Sequence, residues 1–169
     1  MKKILVIGSG GAGKSTFAKQ LGNSLQLPVI HLDALYWQPG WVEPPKAEWA
    51  ARVEEICYRD EWIMDGNYSG TLERRLVVCD VVVFLDLPPH ICAWRVLKRL
   101  LQYRNATRPD MAAGCYEHFN LQFLLWVWNY RRRSRPKIVR LLKQYEKSVQ
   151  IIWLRSAAEI SQYWHAHTA

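Results

Sequence analysis

Residues 8–15 read Gly-Ser-Gly-Gly-Ala-Gly-Lys-Ser, four glycines within six positions followed directly by lysine and serine. The run fills every fixed position of the pattern G-x-x-x-x-G-K-[ST]. Lys3-Ile4-Leu5-Val6-Ile7, just before it, is a short apolar run with β-branched residues, as a buried parallel strand requires. Phe17-Ala18-Lys19-Gln20-Leu21, just after it, carries apolar residues at helical spacing. Strand, glycine loop and helix start thus follow in the order needed to wrap backbone N–H groups around a phosphate. Residues Gly8, Ser9, Gly10, Gly11, Ala12, Gly13, Lys14, Ser15 and Thr16 are therefore expected to bind a nucleoside triphosphate. Lys14 is expected at the β- and γ-phosphates and the Ser15 hydroxyl at Mg²⁺.

A loop of this kind needs a parallel sheet around it, and the rest of the chain supplies one. Apolar runs predict strands at 3–8, 28–32, 61–64, 80–85 and 149–154. Helices are predicted at 14–26, 46–59, 70–77, 89–104, 116–132, 136–147 and 157–165. This alternation gives an α/β fold, a five-stranded sheet wrapped by helices in three layers. With 169 residues the chain suits one domain. Two stretches break the alternation. Residues 34–60 open with an aromatic-rich loop, and 104–118 run from Arg104 past Gly114. Ligands in such sheets sit beyond the carboxyl ends of the strands. The first stretch is thus expected to be an acceptor-binding flap and the second a triphosphate lid.

No apolar run approaches the length that crosses a bilayer, and the first apolar run leads straight into the glycine loop. No membrane partner is expected, and the cytoplasm is the expected compartment. Cys57, Cys79, Cys92 and Cys115 are scattered without C-x-x-C spacing, the pattern of buried reduced thiols rather than a zinc site or a disulfide framework. Charge is divided unevenly. Residues 1–90 hold nine Lys/Arg and eleven Asp/Glu, whereas 91–169 hold fourteen and four. A half this basic expects an anionic partner, either nucleic acid or a polyphosphate gripped by arginines.

Four constellations refine the reading. Asp65 follows Trp62-Ile63-Met64 and precedes Gly66, so it sits at a strand tip where Mg²⁺ needs an acidic partner; Asp86 also ends a strand and competes for that role. Asp33 ends His31-Leu32-Asp33 and is a candidate general base, with a turn or cap role as the alternative, while His31 is expected to pack. Arg95 and Arg99, four apart, share a helix face that could offset charge on a transferring phosphoryl group or simply be a solvated basic face with Lys98. Arg131 to Arg135 hold further lid or phosphate candidates in Arg131 and Arg135, after an apolar segment 123–128 expected to be buried.

Taken together, Gly8–Ser15, Asp65-Gly66 and Arg95/Arg99 resemble the small phosphate-loop kinases of the adenylate-kinase and shikimate-kinase type. A closer resemblance is to the bacterial proteins labelled "DNA topology modulation" or "adenylate kinase-related". It rests on His31-Leu32-Asp33, Tyr36-Trp37, Asp65-Gly66-Asn67-Tyr68, Arg108-Pro109-Asp110-Met111 and Gly114-Cys115, and it covers most of the chain. The resemblance implies a parallel sheet with the first strand central, Mg²⁺-ATP at its edge, and triphosphate roles for Lys14, Ser15, Asp65, Arg95 and Arg99. The monophosphate side departs from adenylate kinases. Tyr36 and Ser69 stand where those enzymes carry arginines, so either Arg74 or Arg75 turns inward or the acceptor is less anionic than a nucleoside monophosphate. Tyr36, Trp37, Trp41 and Tyr68 could wall the acceptor, although core packing uses aromatics as often.

The leading expectation is an ATP-dependent kinase whose small-molecule acceptor lies between Asp33, Tyr36, Tyr68 and the flap. The rival is a nucleotide-regulated nucleic-acid-binding protein using the basic half. An ATPase driving a shape change ranks last, because no dedicated water-positioning group is evident.

Overall fold

The computed structural model describes residues 2–104 and 106–167; Asn105, inside the predicted lid, lies outside the described residues. Five strands form one parallel sheet: β1 (Lys3–Gly8), β2 (Val29–His31), β3 (Trp62–Asp65), β4 (Val81–Leu85) and β5 (Gln150–Leu154), in the order β2-β3-β1-β4-β5. β1 is central, as expected. Its alternate residues feed two cores. Leu5 and Ile7 join Met64, Val82 and Phe84 on one face, against α3 (Lys46–Cys57), α4 (Ser69–Val78) and α7 (Arg135–Tyr145). Ile4 and Val6 join Ile63, Val81 and Val83 on the other, against α1 (Lys14–Leu25), α5 (Pro89–Gln102) and α8 (Ala157–His167). Burial on both faces explains why these strands read as continuous apolar runs. At the opposite end of the sheet from the glycine loop, the Asp80 carboxylate accepts N–H bonds from Lys2 and Lys3 at 2.6 and 3.0 Å, which pins β1 to β4.

Two elements differ from the sequence reading. A short helix α2 (Leu32–Tyr36) begins directly after β2, where a loop was expected. The helix expected at 116–132 begins later, as α6 (Leu121–Arg133), because the Asn120 side chain accepts the Phe123 N–H at 2.9 Å and sets its start. Residues 116 and 117 instead close the lid stretch 104–118 on itself, through bridges Thr107↔Tyr116 and Arg104↔Glu117. Nor is α6 buried all round. Val127 and Tyr130 are enclosed, whereas Leu121, Leu125 and Trp128 face outward. The helix lies over the glycine loop, so only its inner face has a partner: a Cβ added at Gly10 would sit 2.7 Å from Phe123 and 3.0 Å from Val127. All four cysteines are buried and unpaired. No helix among the described residues is long and apolar enough to cross a membrane.

Candidate active site

The carboxyl ends of β1, β2 and β3 bring the glycine loop, His31, Asp33 and Asp65 together. Strand register sets this, pairing Val6 with Asp65 and Asp65 with His31. The loop leaves β1 and enters α1 with Gly13 as N-cap at φ 94°, a conformation that favours glycine. Gly11, at φ 76°, packs so closely under α5 that a Cβ would meet the Cys92 carbonyl oxygen at 2.2 Å. The loop is therefore pinned from below as a fixed concave backbone turn. That concave turn, with the half-buried Lys14 beside it, has the geometry that an anion such as a phosphate needs. Burial lowers the Lys14 pKa, and the carboxylates of Asp33 and Asp65 act against that shift. Lys14 Nζ donates to the Ser9 carbonyl oxygen at 3.0 Å. Arg95 reaches over the loop and donates to the Ala12 carbonyl oxygen at 3.2 Å.

Above the loop opens a cavity of about 1990 Å³, lined by residues 10–16, Asp33, Trp37, Tyr68, Arg95 and Arg99 among others. Single-ligand pockets run to about 1,000 Å³.

Asp33 lies on α2, just past the tip of β2, and its Oδ1 accepts a 2.6 Å hydrogen bond from the Tyr68 hydroxyl. Tyr68 is held at φ 33°, a strained conformation for a tyrosine, where the chain turns from β3 into α4. Arg75 enforces that turn. Its guanidinium is fully buried and donates to the carbonyl oxygens of Gly66 (2.9 Å), Asn67 and Tyr68 (3.2 Å). Burial lowers its pKa to about 10, so it remains charged at neutral pH. Within the same turn the Asn67 side chain accepts from the Gly8 N–H at 2.9 Å and donates to the Gly8 carbonyl oxygen at 2.6 Å. One turn thus locks both the entry to the glycine loop and the partner of Asp33.

Several expected roles change. Asp65 does not line the cavity: it is 4% exposed, and its Oδ1 lies 2.8 Å from His31 Nδ1. His31, expected to be a packed residue, is this carboxylate's partner, and the hydrogen bond to Asp65 raises its pKa. Asp86 is withdrawn from any metal role by Arg135, which grips it through Nε at 2.8 and 2.9 Å and Nη2 at 2.7 Å. Arg135 is correspondingly a structural partner rather than a lid residue, and Arg131 is exposed on α6 away from the cleft. Because Asp86 is 1% exposed, Arg135→Ala should destabilise the fold by about 3 kcal/mol by stranding a buried charge. Denaturant unfolding would measure this, and an unchanged midpoint would show that the pair contributes nothing. Tyr36 sits behind the cavity wall, its ring 4.7 Å from Tyr68 and 5.0 Å from Trp49, with Glu43 close to its hydroxyl. Arg74 pairs with Glu54 on the outer surface and Arg75 is enclosed in its turn, so neither supplies the missing acceptor-side cation.

The lid gives partners to residues that the sequence marked only as part of a motif, or not at all. Arg108 pairs with Asp110 at 3.0 Å and with Glu117 at 2.6 Å, and Arg99 reaches the same Glu117 oxygen at 3.2 Å. The Asp110 carboxylate lies close to the Ser15 hydroxyl; burial would raise its pKa, but Arg108 and Ser15 outweigh this and hold it low. The lid also joins the flap directly. Gly40 N–H donates to the Gly114 carbonyl oxygen at 3.2 Å, and Trp41 Nε1 donates to the Tyr116 carbonyl oxygen at 3.0 Å. Sequence spacing gives no sign of the two flap–lid hydrogen bonds, since they join residues about 75 positions apart.

No family model matches the chain, and no curated protein matches its sequence. Solved structures do. A gluconokinase from Sinorhizobium meliloti 1021 aligns over 98% of this chain and 90% of its own, at 20% identity and a TM-score of 0.54. Shikimate kinase from Acinetobacter baumannii, in complex with shikimate, aligns over 99% and 94%, at 15% identity and a TM-score of 0.57. At such identities the likeness concerns the backbone: the chain has the five-stranded phosphate-loop fold that these kinases share.

Proposed function

We propose that the protein is a small-molecule kinase that moves the γ-phosphoryl group of ATP to a hydroxyl of an acceptor. The observation that carries this reading is one cleft with a phosphate cradle on one side and, on the other, Asp33 oriented by a strained Tyr68. Lys14, half-buried at the cleft, lies within the electrostatic reach of Asp33. In the proposed reaction the acceptor oxygen attacks the γ-phosphorus while its proton passes to Asp33. The bond to the β-bridging oxygen breaks, and ADP leaves with the electron pair. Tyr68 occupies one oxygen of Asp33, which leaves the other for the acceptor proton. Lys14, Arg95 and Arg99 stand where negative charge gathers.

The oxygen groups that would hold Mg²⁺ are the Ser15 hydroxyl and the neighbouring Asp110 carboxylate, whose Oδ2 pairs with Arg108 at 3.0 Å, with Asp65 supporting the field from behind His31. Bound there, Mg²⁺ would neutralise phosphate charge. Flap and lid share direct hydrogen bonds, so their closure together would exclude water as a competing acceptor. A nucleic-acid role finds less support, because the exposed arginines of α6 border no comparable site and Arg135 is paired with Asp86.

The test is ADP release from Mg²⁺-ATP across nucleoside monophosphates, nucleosides and small hydroxylated metabolites. One acceptor class should raise turnover well above the water background, and Lys14→Ala should cut that increment by about 10²–10³-fold. A flat panel from a protein that binds ATP would overturn the kinase reading.

A further inference from the structure

Two guanidinium groups meet one carboxylate in the lid wall of the cleft. Glu117 is 5% exposed, and its Oε1 lies 3.2 Å from Arg99 Nε and 2.6 Å from Arg108 Nε. Neither approach has the alignment of a hydrogen bond, so Glu117 serves the two arginines as a shared counter-ion. The lid holds it in place. Its N–H donates to the Ala106 carbonyl oxygen at 3.1 Å, and the Tyr116 carbonyl oxygen, one residue before, accepts from Trp41 Nε1 of the flap.

The two arginines differ in what they have left to offer. Arg108 is buried with both terminal nitrogens engaged, one with Asp110 at 3.0 Å and the other with the Met111 sulfur at 3.5 Å. Arg99, on α5, is held by Glu117 at its inner nitrogen, and its guanidinium carbon lies 5.8 Å from the centre of the Phe123 ring, which packs on the glycine loop at Gly10. Its two terminal nitrogens make no hydrogen bond among the described residues. The side chain lines the cavity within charge range of both Lys14 and Asp33, so this unused fork is offered to the part of the cleft that those two residues border. Burial and the neighbouring Arg108 disfavour the charged form of Arg99, and Glu117 is the foremost group opposing them. Without that carboxylate two cations repel across a largely dry wall, and the fork loses its fixed direction.

We propose that Glu117 is a positioning residue: by gripping Arg99 at Nε it aims the terminal fork at the last phosphate of the nucleotide, and so sets a preference for a nucleoside triphosphate over the diphosphate. The inference rests on the kinase reading above only for the presence of a triphosphate in the cleft. Arg99 makes the contact, and Glu117 acts through it.

The test compares the Mg²⁺ complexes of a non-hydrolysable ATP analogue and of ADP, with affinities read by calorimetry and turnover read separately as ADP release from Mg²⁺-ATP. The wild type should favour the triphosphate analogue by about tenfold or more, the worth of hydrogen bonds to a charged group. Glu117→Gln keeps the shape and removes the charge, and should lower that preference by about threefold or more. A carboxylate that merely offset charge would give the opposite sign, because removing it favours the more anionic ligand. Arg99→Lys keeps the cation but has no inner nitrogen for Glu117 to hold, so it should lower the preference as well, and it leaves the Glu117–Arg108 pair intact should Glu117→Gln fold poorly. In the Arg99→Lys background, Glu117→Gln should no longer lower the ratio. The proposal is overturned if the wild type shows no preference for the triphosphate, if Glu117→Gln keeps or raises it, if Arg99→Lys leaves it unchanged, or if Glu117→Gln still lowers it once Arg99 is replaced. Any of these with brisk acceptor-dependent ADP release would sink this inference while sparing the kinase reading. The predicted ratios without turnover on any acceptor would do the reverse.

Discussion

Asp33→Asn should lower acceptor-dependent turnover by about 10²–10⁴-fold, the usual range for loss of a general base, while nucleotide affinity at neutral pH changes little. Asparagine has the shape of aspartate and keeps a carbonyl oxygen to accept the Tyr68 hydroxyl, so the support seen at 2.6 Å survives and only the basic oxygen is lost. A second readout separates this from damage to the cradle. Burial lowers the Lys14 pKa, and Asp33 is the largest influence opposing that shift. Without the Asp33 charge, Lys14 becomes neutral at a lower pH than in the wild type. Since its protonated form attracts phosphate, the alkaline decline in nucleotide affinity should move to lower pH. Turnover within threefold of wild type would remove Asp33 from the chemistry. An unmoved pH profile would show that its field does not reach Lys14.

The features legible in the sequence are those set by local pattern. The glycine loop needs only adjacent residues, and the runs flanking it name the strand and helix that position it. Burial on both faces wrote each strand as an apolar run, so the sheet could be counted before it was seen. Electrostatic pairing was not legible, because it depends on partners distant in the chain. Asp65 and Asp86 look alike as aspartates at strand tips; Arg135, 49 positions on, takes one, and His31, 34 positions back, takes the other. Asp110 appeared only as part of a motif, until the fold set it against Arg108 and close to Ser15. The exposed face of α6 misled for a related reason. An apolar helix normally implies burial all round, but this one crosses the open end of the sheet and meets the molecule on one side. Tyr36, expected in an aromatic wall against the acceptor, instead packs behind that wall against Tyr68 and Trp49.

Arg75→Met tests whether the site depends on the turn that carries it. The guanidinium has no carboxylate partner; its charge is met by carbonyl oxygens of Gly66, Asn67, Tyr68 and Thr71, the last at 3.4 Å. Methionine fills similar space and removes the cost of burying a charge, which offsets part of the damage. It also leaves those carbonyl groups without their donor, at about 1–3 kcal/mol for each one that water cannot reach. A net loss of about 3 kcal/mol is expected, which for a chain of this length lowers the midpoint by about 6–12 °C. Activity should fall further than unfolding explains, even well below the melting range. The same turn aims Asn67 at Gly8 and Tyr68 at Asp33, so its relaxation loosens the cradle and the base together. Thermal unfolding and turnover on one preparation decide the matter. A large drop in midpoint with full activity would mean that the turn only stabilises the fold. Lost activity at an unchanged midpoint would mean that Arg75 acts on the site rather than on the core. Lys at this position provides the control for charge: it restores the cation but, with a single terminal nitrogen, cannot span the carbonyl groups that the guanidinium fork joins.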